Sequence, residues 1–572
     1  MNKQWLVHES APADFLADNS ELHPIVRQLL YNRGLRTIEQ ADYFLHPEKS
    51  GDEHDPFLFE NMKAAIELTV AHIKERHTIV ICGDYDADGV TSSAIMSETL
   101  AALGALVEVW IPSRFGQGYG LNKEIIQELK DRNVALIITV DNGIRAKAEV
   151  DFAKSLGIDV IVTDHHEGPP TRSEQPDCLV IDPILDHENY PFKYLCGAGV
   201  AYKFATALIS SSTLSEEIKK TLEEKIIDLA AIGTIADCVT LLGENRLLAA
   251  RGLAVMNRRP RLGLRELANV SNISADLDSW NISWQITPRL NVAGRLDHAN
   301  AAYQLLVTKD PSEAQKIAAE LNQRNIERQV MTKAIVEEAS LDIEANQANE
   351  KLLIAISPNV LDESKTGWNE GVVGLSAGRL AEKYSRPCLV ITRSEGNIKG
   401  SGRSVEQFNL VAALEAGKEH LERYGGHKMA CGFTLKSLED LEGFMSKVKA
   451  MAAQVLSDVD LSPILQIDAE LKIEEVDSAM IEAVQAFMPF GQDNPEPKFT
   501  SRAMIEEVMV MGKEKTHIKF RLGGKWALAF SKAEELAHLK AGDMIDFVYT
   551  VGFNEFNGRR EAQLKIVDLR IA

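Results

Sequence analysis

Thr78-Ile79-Val80-Ile81-Cys82-Gly83-Asp84-Tyr85-Asp86-Ala87-Asp88-Gly89 is the stretch on which the fold turns. Its first half is an apolar, β-branched run of strand length, and its second half sets three carboxylates within five residues, with Val90-Thr91-Ser92-Ser93 following as a helix start. Four further runs share the strand character: Leu106 to Ile111, Leu136 to Val140, Asp159 to Thr163 and Cys178 to Ile181, with helical patterns such as Lys123 to Lys130 and Arg145 to Leu156 between several of them. This alternation predicts an α/β fold with a doubly wound parallel sheet. Ligands of such sheets bind beyond the carboxyl ends of the strands. The residues found there are acidic in four of the five runs: Asp84, Asp141-Asn142-Gly143, Asp164-His165-His166 and Asp182-Pro183. One Asp before Gly or Pro is ordinary turn chemistry. Four strand ends delivering acids and imidazoles to one edge point instead to hard divalent cations, which coordinate several oxygens and cancel the repulsion. Asp237, in Gly233-Thr234-Ile235-Ala236-Asp237-Cys238, adds a carboxylate to an apolar helical pattern where an unpaired charge is costly.

Working outward, Pro311 to about residue 345 runs without a further Gly or Pro and carries a broken apolar stripe (Ile317, Leu321, Ile326, Val330, Ile335), which predicts one long connecting helix. A second α/β segment opens at Lys351-Leu352-Leu353-Ile354-Ala355-Ile356 and closes with the helical pattern around Phe444 to Val455. After Ile464, short runs such as His517 to Leu522 and Gln563 to Val567 predict a small β-barrel. The expected domains are an N-terminal segment (1–50), a catalytic domain (51–310), the connecting helix (311–345), a second smaller α/β domain (346–456) and the barrel (457–572).

At 572 residues the chain is too long for one core, and 45% apolar with 26% charged residues is the balance of a globular protein, so disorder is not expected. No run is long enough for a membrane span and no signal peptide is expected at the amino terminus, so the expected location is cytoplasmic, with no membrane partner. The six cysteines are scattered without a C-x-x-C pair, which predicts reduced thiols rather than a disulfide frame or zinc site. A net charge of −22 excludes a protein that coats nucleic acid over its whole surface; a polyanion must meet a local basic path.

The motifs GDYDADG, VDNG, TDHH and GTIAD, in this order, resemble the DHH phosphoesterase superfamily. Pro288-Arg289-Leu290-Asn291 with Gly294-Arg295, Gly371-Val372-Val373-Gly374, Lys399-Gly400-Ser401-Gly402-Arg403-Ser404, Gly425-Gly426-His427 and Pro489-Phe490-Gly491 are similar to its branch of bacterial single-strand-specific exonucleases, from about residue 20 to the end. The resemblance implies a DHH domain, a DHHA1-type second domain facing the metal site and a C-terminal OB-type barrel. It implies a 5′→3′ exonuclease that hydrolyses single-stranded DNA to 5′ mononucleotides in DNA repair and recombination. It also implies two ions, Mn²⁺ or Mg²⁺, held by Asp84, Asp86, Asp88, Asp141, His165 and Asp237, with Asp141 bridging and His166 near the scissile phosphate; Asp141, His165 and His166 are the expected catalytic residues. Mixed carboxylate and imidazole ligands suit Mn²⁺ somewhat better. A helicase and a single-strand-binding protein are the expected companions of a monomeric chain. Two positions depart from the pattern: Cys82 stands where some members carry histidine, and Asn369 follows Trp368 where relatives often have histidine.

Arg114, followed by Gly116-Gln117-Gly118-Tyr119-Gly120, pairs a cation with glycines that permit close backbone approach, although a solvated loop is the plain alternative. Small residues and arginine pair again at Ser401-Gly402-Arg403. With the resemblance, Arg114, Ser401 and Arg403 are expected to bind the terminal 5′ phosphate and set polarity, with Tyr119 also on the substrate. His427 is expected beside the substrate, and Arg289 and Arg295 on the DNA backbone. On the barrel, Lys515, Lys519, Arg521, Phe520 and Trp526 are the expected single-strand contacts, basic residues and aromatic stacking being how such barrels grip a strand. The competing cluster Arg258-Arg259-Pro260-Arg261 is not favoured. Two other functions compete: a phosphoesterase acting on short RNA or dinucleotides, which needs no third domain, and a non-catalytic single-strand-binding scaffold, which has no reason to keep repelling carboxylates together.

Overall fold

The computed structural model describes residues 3–18, 21–112, 120–258, 261–296, 300–362, 365–512, 514–556 and 559–572. The chain divides into two compact units, one made of Trp5–Gly294, His298–Ala319 and Gln466–Ala572, the other mainly of Glu320–Leu465.

In the first unit the five predicted runs form strands β1 (Thr78–Gly83), β2 (Leu106–Trp110), β3 (Val134–Val140), β4 (Asp159–Thr163) and β5 (Leu179–Ile181). They pair in parallel in the order β2-β1-β3-β4-β5. Because the order reverses between β1 and β3, the connections leave on opposite faces there, and a crevice opens at the carboxyl ends of those two strands. The sheet is closed over by helices α1 (Ala87–Ala102), α2 (Gly197–Ser211) and α3 (Glu216–Ala236), which pack on one another. Helix α1 is buried on nearly every side, so its hydroxyls must find partners inside the helix. Thr91, Ser92, Ser93 and Thr99 do so, each donating to the carbonyl four residues earlier at 2.7–2.8 Å.

Helix α4 (Gly243–Arg258) carries a buried arginine, Arg246, whose guanidinium donates to the carbonyls of Phe44, Phe487, Met488 and Pro489 at 2.9–3.3 Å. Through it the parallel-sheet domain is joined to the C-terminal domain of the same unit. That domain holds β11 to β15, numbered after the second unit's strands: β11 (Phe499–Met511), β12 (His517–Leu522), β13 (Lys525–Ala529), β14 (Met544–Phe556) and β15 (Arg559–Ile571). The order runs β11-β12-β13-β15-β14, and the first half of β11, Phe499 to Met504, pairs back to β14, so the hydrogen-bonded order returns to its first strand.

Pro311–Asn346 forms one helix, α5, which passes from the first unit into the second. The second unit contains β6 (Leu353–Ile356), β7 (Cys388–Ser394), β8 (Asn397–Arg403), β9 (Leu421–His427) and β10 (Ala430–Leu435) in the order β9-β10-β8-β7-β6, with only β6 and β7 parallel. Its core lies on both faces of this sheet, Phe408, Phe433 and Phe444 on one side and Ala339, Val373 and Leu380 on the other. Helix α6 (Glu370–Tyr384) is capped by the side chain of Asn369, which accepts from Gly371 N at 2.8 Å; at this position asparagine serves as a helix cap. All six cysteines are free thiols. Among the described residues no helix is long and apolar enough to cross a membrane.

Candidate active site

The acidic residues converge at the switch point. Asp84 follows β1 and Asp141 follows β3, the two strands flanking the crevice, while Asp164 and Asp182 follow β4 and β5. Asp86 is the N-cap of α1, its Oδ1 accepting from the backbone N–H of Asp88 and Gly89 at 3.0 and 3.1 Å. Asp88, one residue into the helix, is buried, and its two oxygens accept from Gly197 N and Ala198 N at 2.7 and 2.8 Å, so the amino terminus of α2 faces this carboxylate. Asp141 sits in the left-handed region at φ +61°, and its N–H donates to Thr163 O at 3.1 Å. A Cβ on Gly197 would lie 2.5 Å from Asp141 Cβ and 2.7 Å from its Oδ1, so α2 can approach the acidic cluster this closely only with glycine at that position.

His165 completes the arrangement. Its Nε2 lies 3.1 Å from Asp141 Oδ1, 3.7 Å from Asp88 Oδ2 and 3.8 Å from Asp237 Oδ2. Burial lowers its pKa against the pull of Asp88 and Asp164, leaving a neutral imidazole. One nitrogen cannot hydrogen-bond three carboxylates; the convergence has the form of a ligand set. Three overlapping groups are in place, Asp84/Asp86/Asp141, Asp88/His165/Asp237 and Asp141/His165/His166, each with its ligand atoms within 4.8 Å of one another. Burial and the charges of Asp88, Asp86, Asp84 and Asp237 push the Asp141 carboxyl well above the usual range; burial with Asp88 and Asp86 pushes Asp237 up to about 8. Carboxylates so disposed either hold protons or share cations, and carboxylate oxygens with imidazole nitrogen are donors that fit Mn²⁺ or Mg²⁺.

Asp164 has a different task. Its Oδ1 accepts from His165 N, His166 N and His166 Nδ1 at 2.8, 3.2 and 2.7 Å, and its Oδ2 accepts from Ile144 N at 2.9 Å. It thereby fixes both histidines. Burial lowers the His166 pKa, but the hydrogen bond and charge of Asp164 outweigh it and raise the group to about 9, so the half-exposed imidazole is a cation at neutral pH. Asp182 is buried, accepts from Ile184 N at 3.0 Å and is pushed up to about 8 by burial and then by Asp164; it belongs to none of the three ligand groups. Asn291 is a contributor whose role its spacing did not reveal: its Oδ1 accepts from Ala87 N at 2.6 Å and ties the Pro288–Asn291 motif to the acidic turn.

The expected substrate residues are placed less uniformly. Arg114 and Tyr119 lie outside the described residues, as does the Arg295 side chain. Arg289 donates to Gln285 O in its own helix at 2.6 Å. In the second unit Ser401 and Arg403 alternate onto one face of β8; Ser401 Oγ donates to Cys431 O and Arg403 Nη1 to Gly402 O. Helix α6 passes close enough that a Cβ on Gly374 would meet Ser401 Oγ at 3.0 Å and Arg403 Nη2 at 3.5 Å. His427 ends β9, exposed. On the C-terminal domain Lys515 is exposed, Lys519 lies over the Trp526 ring at 3.9 Å and Arg521 lies 3.4 Å from Glu506. Phe520 corrects the expectation: it is fully buried, because strand alternation turns Lys519 and Arg521 outward and Phe520 into the core, where it cannot stack on a base. In the unfavoured basic cluster Arg261 is also structural, paired with Glu98 and Asp228 at 2.9 and 2.8 Å.

The comparisons agree with this geometry. Residues 78–234 match the DHH family N-terminal domain, residues 349–454 the DHHA1 domain and residues 467–568 the RecJ OB domain. A DHH protein with a DHHA1 domain is therefore the class that fold and site define. The single-stranded-DNA-specific exonuclease RecJ of Bacillus subtilis is 38% identical over 568 residues, covering 97% of this chain and 69% of that protein. The Escherichia coli protein of the same name is 31% identical, covering 99% of both chains. The crystal structure of Thermus thermophilus RecJ in complex with Mn²⁺ superposes with a TM-score of 0.83 at 29% identity, covering 100% of this chain and 80% of that one; a Mg²⁺ complex gives 0.76. The chain belongs to the RecJ family.

Proposed function

We propose that this protein is a metal-dependent exonuclease that degrades single-stranded DNA from the 5′ end to mononucleotides. The observation that carries the reading is the convergence of three ligand groups, sharing Asp141 and His165, on the crevice between β1 and β3. Asp84, Asp86, Asp88, Asp141, His165 and Asp237 would hold two ions, Mn²⁺ or Mg²⁺. Bound there, the ions supply the charge that stabilises the attacking and leaving oxygens of a phosphodiester hydrolysis. The chain's own residues do the rest. Asp164 orients His165 and His166, Asn291 and the N-cap Asp86 hold the acidic turn in shape, and the imidazolium of His166 meets the scissile phosphate as a cation.

Polarity rests on Ser401 and Arg403, with Arg114, which bind the terminal 5′ phosphate; Tyr119, His427, Arg289 and Arg295 contact the strand. On the C-terminal domain Lys515, Lys519, Arg521 and Trp526 continue the path. The domain limits proposed are 1–50, 51–310, 311–345, 346–456 and 457–572. The chain works as a cytoplasmic monomer in DNA repair and recombination, beside a helicase and a single-strand-binding protein.

One assay with two variants tests this reading. Asp141→Ala is expected to lose Mn²⁺-dependent nucleotide release by ~100-fold or more while still binding single-stranded DNA. Arg403→Ala is expected to release nucleotides but to lose the preference for 5′-phosphate over 5′-hydroxyl ends. Unchanged release by the first variant sinks the metal site, and an unchanged preference in the second sinks the polarity assignment.

A further inference from the structure

In the second unit, the sheet face that carries Ser401 and Arg403 is uneven in a way that bears on what can lie there. Cross-strand partners share a face, and three rows cross β8, β10 and β9: Lys399, Thr434 and Arg423; Ser401, Gly432 and Gly425; Arg403, Ala430 and His427. Beyond Ser401 the middle row is bare backbone. A Cβ built on Gly425 would meet nothing within 4 Å, and one on Gly432 would meet only Gly400 O at 4.0 Å. Residues two apart on a strand are separated by roughly 6.8 Å, so the two glycines floor a trough between the side chains of the outer rows. It is open where β9 forms the edge of the sheet.

The other end of the trough is shut. Helix α6 lies along β8 with a matching step, since four helical residues rise about 6 Å: Glu370 stands over Lys399, Gly374 over Ser401 and Gly378 over Arg403. A Cβ on Gly374 would come within 3.0 Å of Ser401 Oγ, so the gap between helix and strand scarcely admits a methyl group and cannot pass a phosphate. Gly378 covers the stem of Arg403 in the same manner, a Cβ there lying 3.7 Å from Cγ. The flank beyond Ser401 toward Lys399 is closed by charge. Lys399 Nζ donates to Glu370 Oε2 at 2.7 Å and to Glu395 Oε2 at 3.5 Å, one ammonium between two carboxylates, which leaves this flank net negative.

We propose that this closed end accepts a single phosphate monoester and rejects a 5′ terminus bearing a di- or triphosphate. The proposal rests on the assignment of Ser401 and Arg403 to the terminal 5′ phosphate. With that phosphate at Ser401 the strand leaves over the glycine floor. Any further phosphate attached to it must enter beneath α6, where there is no room, or turn toward Glu370 and Glu395, where like charge opposes it. A triphosphate end therefore becomes a substrate only after hydrolysis of its α–β anhydride bond has removed pyrophosphate.

The test measures release of the first nucleotide, with Mn²⁺, from one DNA strand prepared with a 5′-monophosphate, a 5′-triphosphate or a 5′-hydroxyl group, and compares the three rates within each enzyme. The wild type is expected to favour monophosphate over triphosphate by ~10-fold or more. In Glu370→Gln/Glu395→Gln that ratio is expected to fall by ~3-fold or more, and Glu395→Gln alone shifts it in the same direction. In Gly374→Ala the added methyl group intrudes on the closed end, and the advantage of monophosphate over hydroxyl is expected to shrink by a similar factor, the hydroxyl strand reporting that the enzyme is folded. A wild type that digests the triphosphate strand as fast as the monophosphate strand, while favouring monophosphate over hydroxyl, overturns this proposal alone. A wild type with no preference for monophosphate over hydroxyl overturns the end assignment, and this proposal with it. Wild-type ratios in the charge variants and in Gly374→Ala overturn the two walls named here. If the double variant or Gly374→Ala digests no strand, Glu395→Gln, at an exposed position, decides.

Discussion

Asp164 shows how a site can depend on a residue that sits in none of its ligand groups. Every hydrogen bond it accepts comes from the two histidines or from Ile144; it holds the backbone of His165 and the backbone and ring of His166, and so fixes the turn from which the His165 Nε2 reaches Asp141. Partners of this kind typically contribute 10–100-fold to metal affinity or activity. Asp164→Asn retains the volume and loses the charge, and is expected to raise the Mn²⁺ concentration needed for half-maximal activity by about that factor, with a change in melting temperature too small to explain it. A metal dependence equal to that of the wild type contradicts the positioning role. At this scale the sequence was a good guide to which acids gather, because strand ends in a parallel sheet share an edge. It was a poor guide to division of labour: Asp164 and Asp182 stand in equivalent positions after their strands and both accept from the backbone that follows, and only the bond from the His166 ring to Asp164 separates the positioning residue from the other buried acid.

Among the elements, the amino terminus of α2 is the piece that spacing alone did not reveal. It supplies two backbone N–H groups to Asp88 from more than a hundred residues away in the chain, and no periodicity connects Gly197 with the acidic turn. The same holds for Asn291. The strands themselves were legible, since runs of Val and Ile buried on both faces have no other reading between helical patterns, and the long helix was legible from its missing Gly and Pro. The error at Phe520 arose from treating a strand as a set of residues instead of two faces; the alternation that buries Phe520 was already present in Ile518, Phe520 and Leu522. The fit of α2 against Asp141 gives a direct test. Gly197→Ala places a Cβ inside van der Waals contact of Asp141, and is expected to cost roughly 1–3 kcal/mol in denaturant unfolding together with most of the nuclease activity. Wild-type activity in this variant contradicts the proposed packing of helix and ligand.

At the scale of the molecule, catalytic and C-terminal domains are joined around Arg246, a buried cation stacked on Phe44 at 4.1 Å and held by four carbonyls. Burial, with the charge of Arg33, lowers its pKa to about 10, still above neutral pH, so the guanidinium stays charged. Arg246→Ala removes the guanidinium from all four carbonyls, of which Phe487 O and Pro489 O keep Asn494 Nδ2 as a donor, and is expected to destabilise the first unit by about 3 kcal/mol, read by urea unfolding; a loss below ~1 kcal/mol contradicts the clamp. The account as a whole stands on the claim that the Asp and His cluster at the β1–β3 crevice is a divalent-metal nuclease centre acting on single strands from the 5′ end. The most direct measurement is digestion of one DNA strand, labelled at either its 5′ or its 3′ end, single-stranded or annealed into a blunt duplex, with Mn²⁺ or with chelator. The account predicts immediate release of the 5′ label as a mononucleotide with Mn²⁺, late release of the 3′ label, and none from the duplex or in chelator. Early release of the 3′ label, or release that persists in chelator, contradicts it.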